Sequence, residues 1–348
     1  MHHLYRLRQR LLTGLLHPFL GARQTRLKLL MVLWLIPLLA NAQGQNYPTK
    51  ITRPIRLIVP YVPGGLTDTL SRIAGPYITE EFGQSVTIDN RPGGSSTIGT
   101  QLIAKAIPDG QTIGMIDAAF LINPTLLNKV PYETPGDFTP IGLIAIAPLI
   151  LVTHPSLPVK SVKQLIALAK KQPGTLNFAS AGNGSAVHLA GEQLQSAAKL
   201  KLLHIPYKGT GQALSDAVGG QVHMLFLVQG TAKPFVASGK LRGLAVTAAH
   251  RTRSMPQIST FIEEGLPDVE AATINGLVGP VGLPVDFVQR VNRTMARSMN
   301  AHEQQEKLID YGAEVATNTP DEFRLWILNQ MQKWAKAVKD SGVHVDNN

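Results

Sequence analysis

The sequence contains no cysteine in 348 residues. This absence excludes disulfide bonds, thiol nucleophiles and cysteine-based metal sites, and it also excludes attachment to a membrane through a lipidated N-terminal cysteine. A protein without disulfides must rely on its hydrophobic core, and about 300 residues are enough to build one.

Acidic residues are missing from the first 42 positions, which carry six positive charges. An apolar run, Leu29–Ala40, follows these charges, and Ala40-Asn41-Ala42 is a small-x-small cleavage signature. The run has about 12 residues, fewer than the roughly 20 that span a bilayer. The pattern predicts a secretory signal peptide over residues 1–42, with an uncleaved membrane anchor as the alternative.

Removal of this segment lowers the formal net charge from +10 to +4, because all six lost charges are basic. Aromatic residues are also few, at 6% of the chain, and no stripe of Lys and Arg is interleaved with them. The sequence therefore indicates no nucleic-acid partner, and it mildly favours anionic small molecules.

Short apolar runs alternate with amphipathic stretches from Pro54 onward, which is typical of βαβ units in an α/β fold. The predicted strands are Ile55–Val59, Val86–Asp89, Thr112–Ile116, Leu149–Val152, Leu176–Ala179, Leu202–Ile205, Val222–Leu227 and Leu241–Thr247. Helices are predicted over Val162–Lys171, Val285–Met299 and Pro320–Asp340, the last two closing the first lobe described next. Trp326 and Trp334 on the last helix are interpreted as core packing or as sealing of the lobe, with a platform for the ligand as the alternative.

The length after the signal peptide exceeds what one such core usually contains, so two lobes are expected. We predict a discontinuous first lobe, residues 43–145 plus 248–348, and an inserted second lobe, residues 146–247. The chain crosses between them at Phe138–Val152 and after Leu241–Thr247. Two crossings form a natural hinge around a central cleft.

Two glycine-rich turns each join an apolar strand to the start of a helix, where free backbone N–H groups can hold an anion. In the first turn we predict ligand contacts from Tyr61, Gly64, Gly65, Thr67 and Asp68. The glycine pair, Gly65 above all, supplies unusual backbone geometry and close approach, and Thr67 can cap the helix. The side chain of Asp68 is expected to point away from the ligand, toward a capping role or an ordered water. A tight connection without a ligand is the alternative.

The second turn offers Ser180, Asn183 and Ser185 as ligand donors, with Ser185 as the expected helix N-cap. Val187 occupies the position where the dinucleotide fingerprint needs glycine, so a nucleotide site is not indicated. Two anion-binding turns in one chain predict one acid held from two sides.

A third helix start adds Tyr207, Lys208 and Gly209 to the predicted site, although Lys208 can equally be a solvated surface charge. No Gly-x-Ser-x-Gly elbow occurs, and the Ser196–Lys199 segment lacks the companion motifs of its class. His188 and Glu192 have the spacing of half a metal site but no third ligand. We therefore predict no catalytic residue, no metal and no cofactor.

An ordered set of motifs extends over nearly all of the chain after residue 42. The motifs are Pro60-Tyr61-Val62-Pro63-Gly64-Gly65-Leu66-Thr67-Asp68, Asn90-Arg91-Pro92-Gly93-Gly94, Pro108-Asp109-Gly110, Asp137-Phe138-Thr139-Pro140-Ile141-Gly142, Asn177-Phe178-Ala179-Ser180-Ala181-Gly182-Asn183-Gly184-Ser185 and His204-Ile205-Pro206-Tyr207-Lys208-Gly209. This set resembles the Bug (TctC-like) substrate-binding receptors of tripartite tricarboxylate transporters.

The resemblance implies a two-lobed periplasmic binding protein of the Venus-flytrap type (type 2), with a hinge and a central cleft. It also implies a small organic acid as ligand, held largely by backbone N–H groups and waters, and delivery to a membrane permease of the tripartite tricarboxylate type. We expect a periplasmic monomer without a lipid anchor. A sensor that hands its liganded form to a signalling partner is one alternative, and an exported hydrolase is another.

The sequence departs from the family pattern at two positions. The run Met224–Val228 contains no carboxylate where amino-acid-binding relatives can place one, and Ile274 stands where the family usually has tryptophan. We predict that Leu227 contacts the ligand, and that the cleft prefers acids without an α-amino group, since an unpaired buried ammonium is costly. The alternative is that Leu227 faces the core.

Overall fold

The structure is a computed structural model that describes residues 51–343. The predicted signal peptide at residues 1–42 lies outside this range. Within the range, no helix combines the length and the apolar character that crossing a bilayer requires.

Strands and helices alternate along the described residues, as the sequence predicts. The strands are β1 (Ile55–Val59), β2 (Val86–Asn90), β3 (Thr112–Ile116), β4 (Phe138–Thr153), β5 (Asn177–Ser180), β6 (Leu203–Pro206), β7 (Met224–Val228), β8 (Arg242–Val246), β9 (Ala272–Pro280) and β10 (Glu314–Val315). The helices are α1 (Leu66–Phe82), α2 (Thr97–Ala104), α3 (Ala118–Leu126), α4 (Val162–Lys171), α5 (Ala186–Ala198), α6 (Thr210–Val218), α7 (Gln229–Ala237), α8 (Val285–Met299), α9 (His302–Asp310) and α10 (Pro320–Ser341).

The sheet contains two groups of parallel strands. The strand order is β2-β1-β3-β9-β4-β7-β5-β6, with β8 and β10 also paired to β4. Strand β1 runs parallel to β2 and β3, and β5 runs parallel to β6 and β7. The antiparallel strands β9 and β4 join the two groups.

Strand β4 belongs to both groups because its two halves pair with different partners. Residues 138–148 pair with β9, whereas residues 149–153 pair with β7. Nearly every side chain from Ile141 onward is buried, which is typical of a strand covered on both faces. This arrangement supports two lobes that share β4, while the boundaries at residues 145/146 and 247/248 stay a prediction.

The sequence gives little sign of strand β9. Its segment Ala272–Pro280 contains Gly276, Gly279 and a terminal proline, all weak strand formers. The structure explains Gly276, because a Cβ there would lie 2.4 Å from the ring of Phe323. Close packing against α10, which is a tertiary contact, therefore determines which residue fits in this strand at Gly276.

Helix α10 begins with a capping box formed by Thr319 and Glu322 and ends at Gly342, whose φ is +65°. It packs against both α3 and α5, and so touches helices that follow strands of both groups. Trp334 is buried, and Trp326 is partly buried against the same core, which confirms their predicted packing role. Helix α10 therefore contacts helices of both groups, in addition to its predicted role of closing the first lobe.

Candidate functional site

A cavity of about 730 Å³ lies where parallel strands of both groups end. Loops and helix starts at the carboxyl ends of strands are the usual position of ligand sites in α/β sheets, and the volume suits a small molecule. The lining segments are 60–62, 92–96 and 117–126 from one group, 181–187, 210–214 and 228–231 from the other, and Thr273 of β9.

The second glycine turn forms one wall of the cavity. Ser185 is the N-cap of α5, as predicted, and its Oγ accepts a hydrogen bond from the backbone N–H of His188 at 3.3 Å. Asn183 and Ser185 both line the cavity. Ala186 and Val187 begin the helix, so their N–H groups have no intrahelical acceptor, and both residues line the cavity.

Two stacked histidines support this turn from behind. The Nδ1 of His188 accepts a hydrogen bond from the N–H of Gly184 at 2.9 Å. Its ring stacks on His204 with centroids 3.8 Å apart, and His204 Nε2 lies 2.7 Å from Ser180 Oγ. Burial, and secondly the neighbouring His188, lowers the pKa of His204 to about 4. Ser180 is buried and does not line the cavity, so its role is to hold the turn.

His188 and Glu192, which have the spacing of half a metal site, lie beside each other on α5. Glu192 Oε1 lies 3.4 Å from His188 Nε2. Since Nδ1 already accepts from Gly184, the remaining ring nitrogen is the one that carries the proton toward Glu192.

The first glycine turn lies beside the cavity, and the side chain of Asp68, four residues after Gly64, accepts the hydrogen bond from its backbone N–H. Asp68 is buried and accepts hydrogen bonds from the N–H of Gly64 at 2.9 Å, from Arg72 at 2.9 Å and from Asn90 at 2.9 Å. Burial alone raises the pKa of Asp68, but these bonds outweigh it and the pKa is lowered. Asp68 thus turns away from the cavity, as expected.

Two details of the first turn differ from the sequence prediction. The N-cap of α1 is Gly65, and Thr67 is a buried residue inside the first turn of the helix. Gly65 has φ −77° and ψ 170°, which any residue can adopt, whereas Gly64 has φ +93°. The backbone conformation therefore favours glycine at Gly64 and not at Gly65.

The structure brings three of the twelve predicted ligand residues to the cavity wall, Tyr61, Asn183 and Ser185. The others do not line it: Gly64, Gly65, Thr67, Asp68, Ser180, Tyr207, Lys208, Gly209 and Leu227. At the third helix start, Tyr207 donates its hydroxyl to Asp216 at 2.7 Å, and burial together with this bond raises its pKa to about 12. The following residues, Thr210 and Gly211, line the cavity instead.

Leu227 is fully buried in the core and does not reach the cavity. Strand β7 lies between β4 and β5 and is covered by helices, so Phe226 and Leu227 are both enclosed although they point to opposite faces. Only Val228, at the end of the strand, lines the cavity.

Sequence reasoning missed Asp117, which lines the cavity at the start of α3. Its Oδ1 accepts hydrogen bonds from the N–H of Ala119 at 2.7 Å and from the hydroxyl of Tyr61. Burial raises the pKa of Asp117 to about 6, although the bonds from Tyr61 and Ala119 oppose the shift. An aspartate directly after a buried strand and before a helix is an N-cap signal, so this residue could have been found.

The other residues of the wall are neutral. Among residues 51–343, Asp117 is the one residue lining the cavity that carries a formal charge at neutral pH, and no Lys, Arg or His of this range lines it. The wall offers hydroxyl groups, amides, helix-start N–H groups and small apolar side chains. An anion bound here is therefore held by dipoles and hydrogen bonds instead of a cationic side chain.

The profile of the family described as "Tripartite tricarboxylate transporter family receptor" matches residues 70–343. The chain belongs to this family. The match confirms the resemblance drawn from the motifs.

Individual relatives agree with this assignment. BugT of Bordetella pertussis is 32% identical over 305 residues, 87% of this chain and 93% of that protein. The solved periplasmic binding protein BugD is 32% identical with a TM-score of 0.72, and a protein of R. palustris solved with adipate is 32% identical with a TM-score of 0.76. Each comparison covers 86% of this chain and 99% of the other. The fold is thus that of the two-lobed periplasmic binding proteins.

Proposed function

We propose that this protein captures a small organic acid between its lobes, residues 43–145 plus 248–348 and residues 146–247, and delivers it to a permease of the tripartite tricarboxylate type. The observation that carries the proposal is the cavity where both groups of parallel strands end, with the free N–H groups of Ala186 and Val187 in its wall. A relative of similar sequence and fold is known with the dicarboxylate adipate.

The absence of a cationic side chain from the described part of this wall suits a receptor that must release its ligand. A buried ion pair binds tightly and dissociates slowly, whereas helix-start N–H groups hold a carboxylate with several weaker bonds. The family match supports the acid as cargo, and the wall supplies neutral donors for it.

We further propose that the acid is bound without chemical change. Ser180 and His204 have the spacing of a nucleophile and a base, at 2.7 Å, which is the feature that favours the alternative of an exported hydrolase. Ser180 Oγ, however, also bonds to the N–H of Gly182 and does not face the cavity. A serine held in this way cannot approach a bound substrate.

The cellular setting follows from the family and from the N-terminus. Residues 1–42 are proposed to act as a cleaved signal peptide, which delivers a periplasmic monomer. A sensor that passes its liganded form to a signalling partner is the second candidate function, because the same cleft and hinge serve both roles.

Thermal unfolding of purified residues 43–348 with adipate, succinate, citrate and benzoate tests the proposal. A ligand at about 100 times its dissociation constant should add roughly 2.7 kcal/mol of stability. Adipamide, the neutral analogue of adipate, is the matched control and should add little. The proposal fails if no acid stabilises the protein, or if the ligand is recovered chemically altered.

A further inference from the structure

Asp117 is unusual in a cavity proposed to receive an anion. A carboxylate ligand placed against an ionised Asp117 would be repelled, and no cation in the wall offsets that repulsion. Some other part of the ligand must therefore face this side chain.

The hydrogen bonds of Asp117 leave one oxygen available. Oδ1 accepts from both Ala119 and Tyr61, whereas Oδ2 has no partner among residues 51–343. Since Asp117 is half-buried and lines the cavity, Oδ2 can accept a hydrogen bond from a ligand. The hydroxyl of Tyr61 donates its hydrogen bond to Oδ1 of Asp117, and this bond fixes the carboxylate in place.

We propose that Asp117 selects acids that carry a hydrogen-bond donor, a hydroxyl or an ammonium group, on the carbon body of the ligand. The donor bonds to Asp117 Oδ2, while the ligand carboxylate lies at the second turn, next to Ala186 and Val187. This inference rests on the proposed function and specifies its ligand class.

Ligands that present no hydrogen-bond donor to Asp117 would bind less favourably. A plain hydrocarbon body would bury Oδ2 without a partner, and a second carboxylate would face it with like charge. The expectation that the cleft prefers acids without an amino group loses its basis, because it assumed a wall at Leu227 that carries no carboxylate. Asp117 brings a carboxylate into the cavity from a different helix start.

Two matched ligand series test the proposal by calorimetry at pH 8, where Asp117 is ionised. One series is succinate, malate and aspartate, and the other is 3-phenylpropanoate, phenyllactate and phenylalanine. In each series the carbon body is constant and only the donor changes. The proteins are wild type, Asp117→Asn and the control Asp286→Asn, which alters an exposed acid in the first turn of α8, away from the cavity.

Asn can still accept from Ala119 and Tyr61, so Asp117→Asn keeps the helix cap. We expect wild type to bind a donor-bearing acid at least about tenfold more tightly than the plain acid of its series, a difference of about 1.4 kcal/mol, since hydrogen bonds to charged groups are stronger than those between neutral groups. Asp117→Asn should reduce this preference about tenfold, with the larger loss for ammonium than for hydroxyl. Asp286→Asn should retain it.

The inference is overturned if wild type binds the plain acid as tightly as its substituted partners, or if Asp117→Asn keeps the preference. In both cases the plain acid still binds, so the proposed receptor function survives. Failure of every acid to bind any of the three proteins would overturn the function and the inference together.

Discussion

The two glycine turns look alike in sequence and differ in the structure. In the first, the N–H of Gly64 is taken by Asp68 four residues later, and no glycine of the turn lines the cavity. In the second, Asn183 and Ser185 line the cavity and histidines brace the turn from behind. A glycine-rich turn therefore predicts available N–H groups only when no nearby acid accepts from them.

The largest effect is expected at the second turn, from Gly184→Ala. Gly184 has φ +74°, and a Cβ there would lie 2.1 Å from the end of the Leu126 side chain of α3, so the turn or that side chain, both in the cavity wall, must shift. We expect a loss of stability of about 2–4 kcal/mol and loss of acid binding, measured by urea unfolding and calorimetry.

Gly174→Ala is the matched control. Gly174 has φ +75° but open space around its Cβ position, so it shows the backbone strain alone, about 1–2 kcal/mol, with binding retained. Equal losses of binding in both variants would show that the contact with Leu126 is unimportant.

The next effect is expected at the first turn, from Asp68→Asn. This change removes the buried charge that pairs with Arg72 and should cost about 1–3 kcal/mol of stability. Affinity for the acid should change little, because Asp68 faces away from the cavity. Calorimetry at a temperature where the variant is fully folded separates a change in affinity from a change in stability. A large loss of affinity in the folded variant would assign the first turn to the binding site.

Acid should weaken the second turn before the first. Burial lowers the pKa of His204 to about 4 in the folded protein, from the ordinary histidine value of 6.5, so the unfolded chain binds the proton more readily. The stability contributed by neutral His204 is therefore complete above pH 6.5 and is lost progressively as the pH falls toward 4. The pKa of Asp68 is lowered from 3.8, so its contribution is lost only below that value.

Binding and unfolding measured from pH 7 to pH 4 check this order. His204 contacts His188, Ser180 and Phe178, and Glu192 is the acid close to the pair. His204→Phe should flatten part of the pH dependence, while the exposed His302→Gln should leave it unchanged. An unaltered profile for His204→Phe would assign the acid sensitivity to other groups.

The smallest effect is expected from Lys208→Ala. The ammonium group belongs to an exposed residue that does not line the cavity, so affinity should change by less than about twofold at 0.15 M salt. A tenfold loss would show that Lys208 contacts the ligand after all. Titrations at low and high salt distinguish direct contact from long-range attraction.

Much of the fold could be predicted because short apolar runs and amphipathic stretches in the sequence directly indicate strands and helices. The helices Val162–Lys171 and Val285–Met299 and the strand Thr112–Ile116 occur with the predicted bounds. Strand β9 could not be predicted from local preference, since Gly276 is required by the ring of Phe323, which is far away in sequence. Tertiary packing overrides propensity there.

The site was predicted less completely, because its residues depend on which groups already have partners. Ser185 could be recognised as an N-cap from its position before a helix. The engagement of Gly64 by Asp68, and the enclosure of Leu227 between helices, follow only from the folded arrangement. Asp117 was visible in the sequence as a cap, but its exposure to the cavity depends on loops from several strands.

The most direct test is an amide NMR titration of ¹⁵N-labelled residues 43–348 with a dicarboxylate such as adipate. A carboxylate held at the second turn should give the largest amide shifts at Asn183, Ala186 and Val187, with Gly64 nearly unmoved. Shifts centred on Gly64 and Gly65, with the second turn silent, would contradict the account.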